Sequence, residues 1–105
     1  MSLMFEKTEF PSSDGKNTIS AKWWIPDSPK AVVHLAHGMA EYIMRYDAFA
    51  RFLAENGYAV CGNDHLGHGE SAAEEGDLGF MGEKDGHLLV AGDMHKLTLI
   101  AKERF

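Results

Sequence analysis

Residues 31–63 read AVVHLAHGMAEYIMRYDAFARFLAENGYAVCGN, and this stretch decides the fold. Its first six residues, AVVHLA (31–36), form a short apolar run rich in β-branched side chains. Such a run predicts a strand buried on both faces, β3, of the kind found in parallel sheets. At the far end, YAVCGN (58–63) predicts a second buried strand, β4. Between them, YDAFARFLAEN (46–56) places Tyr46, Phe49, Ala50 and Leu53 at helical spacing, with Phe52 beside them, and predicts helix α1. Gly57 follows where helices commonly end on a left-handed residue. Strand, helix and strand make a βαβ unit, whose right-handed crossover gives two parallel strands.

Working outward toward the N-terminus, MFEKTEF (4–10) has strand character, β1, and PSSDGKN (11–17) reads as a turn. Ile19, Ala21, Trp23 and Ile25 then alternate with Ser20, Lys22 and Trp24. That period of two predicts a half-buried strand, β2 (19–25), in an antiparallel hairpin with β1. PDSPK (26–30) is a second turn. In the other direction, residues 64–84 form a long polar, Gly-rich loop of the kind that usually carries function. From Asp85 or Gly86 a helix, α2, runs to Phe105, with the stripe Val90, Met94, Leu97, Ala101 and Phe105. Gly92 inside it costs up to about 1 kcal/mol relative to alanine. An alternating β/α order calls for another parallel strand after α2. Residues 1–105 are therefore expected to be one partial α/β domain, with Met1–Leu3 an expression scar ahead of Met4.

The 105 residues carry 45% hydrophobic and 25% charged side chains, ordinary globular proportions. A net charge of −6 argues against a general nucleic-acid or anionic-membrane binder. Cys61 is the single cysteine, so no internal disulfide framework exists; its apolar setting predicts a buried, inert thiol. No run approaches the roughly 18 apolar residues of a membrane span, and the opening residues lead to the expectation of no signal peptide. A cytoplasmic location is expected.

Two turns share a composition: HLAHG (34–38) and HLGHG (65–69). The echo stops there, because MAEYIMRY and ESAAEEGD have nothing in common, so it is not an internal repeat. A zinc site built from His34, His37, His65 and His68 is disfavoured. Within a strand, side chains three residues apart start toward opposite faces, and neither a Cys pair nor HExxH accompanies them. No metal or cofactor is expected, and His34 by itself reads as a core histidine held by hydrogen bonds. Position is the informative property. Both His-Gly pairs lie just past the carboxyl end of a buried parallel strand, the edge where open α/β sheets bind ligands. Gly38 lets the chain turn tightly there, and the backbone N–H groups that follow would face the crevice as an oxyanion site requires.

Residues 37–71, HGMAEYIMRYDAFARFLAENGYAVCGNDHLGHGES, closely resemble the first half of α/β-hydrolases of the monoacylglycerol lipase and lysophospholipase type. In that family a His-Gly pair ends the third strand. A helix and the fourth strand follow, then an Asp-x-x-Gly-His-Gly-x-Ser loop, which here spans Asp64 to Ser71. GFMGEKDGHLLVAGDMHKL (79–97) resembles the segment leading into the next helix of bacterial members. The resemblance implies the N-terminal portion of an α/β-hydrolase fold, a β-hairpin followed by β3-α1-β4-α2 with an incomplete sheet. It implies a serine carboxylic-ester hydrolase, acting through an acyl-enzyme on a lipid-like monoester. His37 and Gly38 would form the oxyanion turn, and Met39 would give its backbone N–H to the oxyanion. Glu41 would lie near the acyl pocket. Asp64, His65, Gly67, His68, Gly69 and Ser71 would support the loops around the site.

The sequence departs from the family in one large respect. The family's nucleophile is the serine of a Gly-x-Ser-x-Gly on a fifth strand. Here the only imitation is GESAA (69–73), inside the support loop and without a following apolar helix, so Ser71 is not expected to be the nucleophile. His87 and His95, on α2, are poor candidates for the triad base. These residues by themselves are expected to be inactive, and the open edge of β3 is expected to pair with another chain or with missing C-terminal sequence. A non-catalytic binding or assembly module on the same half-fold is the alternative class.

Overall fold

The structure is a computed structural model and describes residues 3–38, 42–71 and 86–105. Strands β1 (Leu3–Pro11), β2 (Thr18–Pro26), β3 (Ala31–Leu35) and β4 (Tyr58–Asn63) form one sheet in the order β1-β2-β4-β3. β1 pairs antiparallel with β2, β2 antiparallel with β4, and β3 parallel with β4. The hairpin and the parallel βαβ unit thus stand as the sequence predicts. A 3-10 turn, Ile43–Tyr46, leads into α1 (Asp47–Glu55). Gly57 closes the helix at φ +94°, a left-handed value that glycine adopts without steric cost. Helix α2 spans Gly86–Arg104.

Each face of the sheet carries its own core. On one side Ile19, Ala21, Trp23 and Cys61 pack with Leu97 and Ala101 of α2. On the other, Trp24 and Val60 pack with Ile43, Ala50 and Ala54. β2 lies between β1 and β4, and residues 19–24 are buried on both faces. This corrects the half-buried reading, because period-two alternation marks only the face with apolar residues. The polar-looking face is covered as well: Trp24 lies under α1, its indole N–H donating to Asp47 at 2.8 Å. Lys22 is 1% exposed and places its ammonium 2.6 Å from Ser20 Oγ and 2.8 Å from Glu70.

Three further corrections follow from position in the fold. β3 reads as buried on both faces, yet Ala31 is exposed and Val32–Leu35 are half-buried, because β3 is the edge strand. In α1 the buried positions are Ala50 and Ala54, while Phe49 and Phe52 are 50% and 59% exposed. Alanine there lets the helix approach the sheet closely, and the bulky side chains turn outward. In α2, Leu97 and Ala101 are buried as the stripe requires, but Phe105 is 48% exposed. α2 is fastened instead by a buried carboxylate that the apolar stripe did not reveal. Asp93 accepts hydrogen bonds from Ser12 Oγ at 2.8 Å and from the Ser13 N–H at 2.6 Å, tying the helix to the β1–β2 turn.

The Cys61 thiol is buried and its pKa is pushed up to about 12, so it carries no thiolate chemistry near neutral pH. Among the described residues no helix is long and apolar enough to cross a membrane.

Candidate active site

Parallel pairing of His34 with Cys61 and Leu35 with Gly62 brings the ends of β3 and β4 out at one edge of the sheet. Past that edge the two His-Gly turns meet. The His37 and His65 rings lie 4.0 Å apart between centroids, and His68 lies 5.2 Å from His37. All three histidines are buried. The fourth, His34, faces the other way, with Nδ1 at 3.0 Å from Thr98 Oγ1 of α2. The Thr98 hydroxyl donates to Met94 O at 3.1 Å, so Nδ1–H of His34 must be the donor to Thr98. His34 is thus held by a hydrogen bond to α2, though on the edge strand it is half-buried and not a core residue. Among the described residues no group of three or more His, Cys, Asp or Glu side chains is placed to hold a metal ion.

The protonation pattern of the cluster follows from its partners. The His65 N–H donates to His37 Nε2 at 2.9 Å, and a backbone N–H can only donate, so Nε2 is an acceptor. The proton of neutral His37 is therefore on Nδ1, which donates to Gly38 O at 2.7 Å. His65 returns the tie, its Nε2–H donating to His37 O at 3.0 Å. His68 Nδ1–H donates to Leu66 O at 3.0 Å. Residues 37 and 65 thus bond reciprocally across the two strand ends. This link depends on register and could not be read from either motif alone.

Asp64 organises the loop that leaves β4. It is 2% exposed; Oδ1 accepts the Ile43 N–H at 2.7 Å and Oδ2 accepts the Glu70 N–H at 3.0 Å. One carboxylate therefore joins the start of the helical segment after β3 to the turn after β4. Gly69 lies against it at φ +47°, where an added Cβ would come within 2.5 Å of the Asp64 carboxyl carbon, so the site accepts no side chain. Gly67 also has positive φ, +75°. Ser71 is buried, donates to Asp64 O at 2.7 Å and accepts the Ser20 N–H at 2.9 Å. Its hydroxyl is committed to backbone groups, a structural role. Met39 and Glu41 lie outside the described residues. His87 and His95 are exposed on α2.

Burial sets the titration of two histidines. Desolvation, reinforced by the neighbouring His37, holds His65 below the usual 6.5, and its buried Nδ1 has no hydrogen-bond partner among the described residues. Desolvation likewise lowers His34, opposed by the Asn63 side chain. Unfolding exposes both to water, so the unfolded chain binds more protons as pH drops. Their contribution is fully present above about pH 6.5 and is lost as pH falls through the folded values, at up to about 1.4 kcal/mol per pH unit for each unmatched proton. Urea midpoints measured from pH 8 to pH 5 are expected to be level at first and then to fall below about 6.5. A midpoint that rises on acidification across that range would contradict this assignment.

A mixed sheet with a hairpin, a parallel βαβ unit and Gly-rich turns gathered at one carboxyl edge defines the N-terminal portion of an α/β-hydrolase. More particularly, the chain belongs to the Hydrolase_4 family, described as serine aminopeptidase, S33, whose sequence model matches residues 27–100. It is 41% identical over 58 residues to a monoglyceride lipase homolog of Monkeypox virus, covering 54% of this chain and 21% of the viral protein. To the monoglyceride lipase of Rattus norvegicus it is 35% identical over 63 residues, 60% of this chain and 21% of the lipase. The chain thus spans about a fifth of the length of these relatives. Among solved structures, a thermostable carboxyl esterase from Bacillus coagulans superposes with a TM-score of 0.87 at 32% identity, over 98% of this chain and 33% of the esterase.

Proposed function

We propose that these residues are the N-terminal part of a serine hydrolase that cleaves carboxylic esters of lipid type, a monoacylglycerol or a lysophospholipid, through an acyl-enzyme. The observation that carries this reading is the meeting of the β3 and β4 exit turns at one sheet edge, in a chain whose relatives include lipases and an esterase. In the proposed reaction a serine Oγ attacks the ester carbonyl while a histidine takes its proton. The negative charge that develops on the carbonyl oxygen is met by the Met39 N–H and by a second N–H next to the nucleophile. Collapse of the tetrahedral intermediate expels the alcohol, to which the histidine returns the proton. Water then releases the acid by the same steps. His37, Gly38 and the Asp64–Ser71 loop hold the floor of this site, and Glu41 borders the acyl pocket.

The 105 residues contain no Gly-x-Ser-x-Gly, and Ser71 is held by backbone groups. The nucleophile, acid and base are therefore assigned to other parts of the full reading frame. The open edge of β3 is assigned to pairing with a further strand. The test is hydrolysis of a monoacylglycerol, a lysophospholipid and an aminoacyl p-nitroanilide by the full-length protein and by residues 1–105. Ester turnover by the former and none by the latter is expected. Preference for the anilide would overturn the ester reading. Ester turnover by residues 1–105 that vanishes in Ser71→Ala would overturn the placement of the nucleophile.

A further inference from the structure

Of the three asparagines in the sequence, Asn17, Asn56 and Asn63, only Asn56 is followed by glycine. Such a pair is chemically reactive, because glycine has no side chain to keep its backbone nitrogen away from the preceding side-chain amide. Asn56 is exposed, whereas Asn63 is buried. Asn56 is the C-terminal cap of α1, and Gly57 follows it at φ +94°. The pair lies just before β4, at the opposite end of that strand from the His-Gly turns. We propose that Asn56–Gly57 is a deamidation site whose reaction is controlled by fraying of the last turn of α1.

The Gly57 backbone nitrogen attacks the Asn56 side-chain carbonyl carbon. The C–N bond to the amide nitrogen breaks, and that nitrogen leaves as ammonia with the proton of the Gly57 N–H. Water then opens the cyclic imide at either carbonyl, which yields aspartate or isoaspartate at position 56. In the folded chain both reacting groups are engaged elsewhere. The Gly57 N–H donates to Ala54 O at 3.0 Å, and the Asn56 side-chain amide reaches back along the helix to donate to Phe52 O at 2.8 Å. Attack therefore waits until the last turn opens, and helix ends are where such local opening costs least. The products weaken the turn that restrained the reaction. A carboxylate at position 56 stands at the negative end of the α1 dipole. Isoaspartate also adds a carbon to the main chain and displaces Gly57 O, which accepts the Lys30 N–H at 2.8 Å, just where Ala31 begins to pair with Tyr58. Deamidation thus loosens the start of β3 as well as the end of α1.

The full-length protein is incubated at pH 8 and 37 °C, once folded and once in concentrated guanidinium chloride. Peptide mapping by mass spectrometry then follows the exchange of −NH2 for −OH at each asparagine. Of Asn17, Asn56 and Asn63, Asn56 is expected to convert fastest in both states. The folded protein is expected to convert it more slowly than the denatured one by about tenfold or more, the protection given by a locally opening helix end. Glu55→Gly, an exposed change in the last turn, is expected to speed folded-state conversion about threefold by easing the fraying, and to leave the denatured rate unchanged. Asn56→Ser is expected to remove the mass change at this position. Equal rates in the folded and denatured protein would overturn the control by the helix end, as would a folded-state rate unmoved by Glu55→Gly. A folded-state rate reduced by the whole global unfolding constant would place the reaction in the unfolded chain and overturn the role of fraying. Absence of conversion at Asn56 in the denatured protein would overturn the site itself.

Discussion

Asp64→Ala is expected to lower stability by about 3 kcal/mol, the sum of two hydrogen bonds to a charged acceptor at about 1.5–3 kcal/mol each, less what relaxation recovers. Asp64 is buried, and its two oxygens take the Ile43 and Glu70 N–H groups at 2.7 and 3.0 Å. Removing the carboxylate leaves the Ile43 N–H buried without a partner, and this drives most of the loss. Water entering the vacated space relieves only the Glu70 side, which is partly open. Asp64→Asn keeps the shape and one acceptor but turns an amide N–H₂ toward one of the two donors, so its loss is expected to be of similar order. Equilibrium urea unfolding reads both. An Asp64→Ala variant within 0.5 kcal/mol of wild type, the usual spread for an inconsequential surface change, would show that the loop is held by other means.

The second large effect is expected at Trp24. Trp24→Ala should cost about 3–5 kcal/mol, the usual range for deleting a large buried aromatic side chain. Its side chain is fully buried between the sheet and α1, tilted against Phe5 at 5.5 Å between ring centroids. The indole N–H also reaches Asp47, the first residue of α1, so its loss loosens the helix from the sheet as well as opening a cavity. Trp24→Phe keeps most of the apolar contact. The abandoned Asp47 carboxylate retains Arg51 at 3.0 Å, so the phenylalanine variant is expected to lose only about 1–2 kcal/mol. Because typical domains are stable by about 5–15 kcal/mol, Trp24→Ala should unfold much of the population at 37 °C. Equal stability of the two variants would mean that the indole hydrogen bond, and not packing, dominates at this position.

Much of this architecture was legible because local chemistry and global fold agree. The β-branched run before His37 and the glycine after α1 are local signals, and they specify a strand and a helix end wherever they occur. Trp24 and Lys22 show where such reading stops. Their alternation with Ile19, Ala21 and Trp23 is identical to that of a strand with one wet face, and only the strand order places a helix over the second face. Phe49 and Phe52 show the converse, since helical periodicity ranks phenylalanine above alanine for burial while close packing of α1 on the sheet selects Ala50 and Ala54. At the site, the position of the two His-Gly turns at one edge follows from parallel pairing. The reciprocal bonding of His37 and His65 needs the register of β3 against β4, which neither motif encodes. The role of Asp93 is illegible in the sequence for a similar reason, because a carboxylate beside an apolar helical stripe looks solvated until Ser12 and Ser13 are brought against it.

The central claim is that β3 and β4 frame the active site of a serine hydrolase whose nucleophile is not Ser71. It is tested most directly by treating the full-length protein with a fluorophosphonate, which phosphonylates an activated serine, and mapping the adduct by mass spectrometry. A single labelled serine outside residues 1–105, in a Gly-x-Ser-x-Gly context, is the predicted result. A label on Ser71, or a folded full-length protein that takes no label at all, would contradict the account.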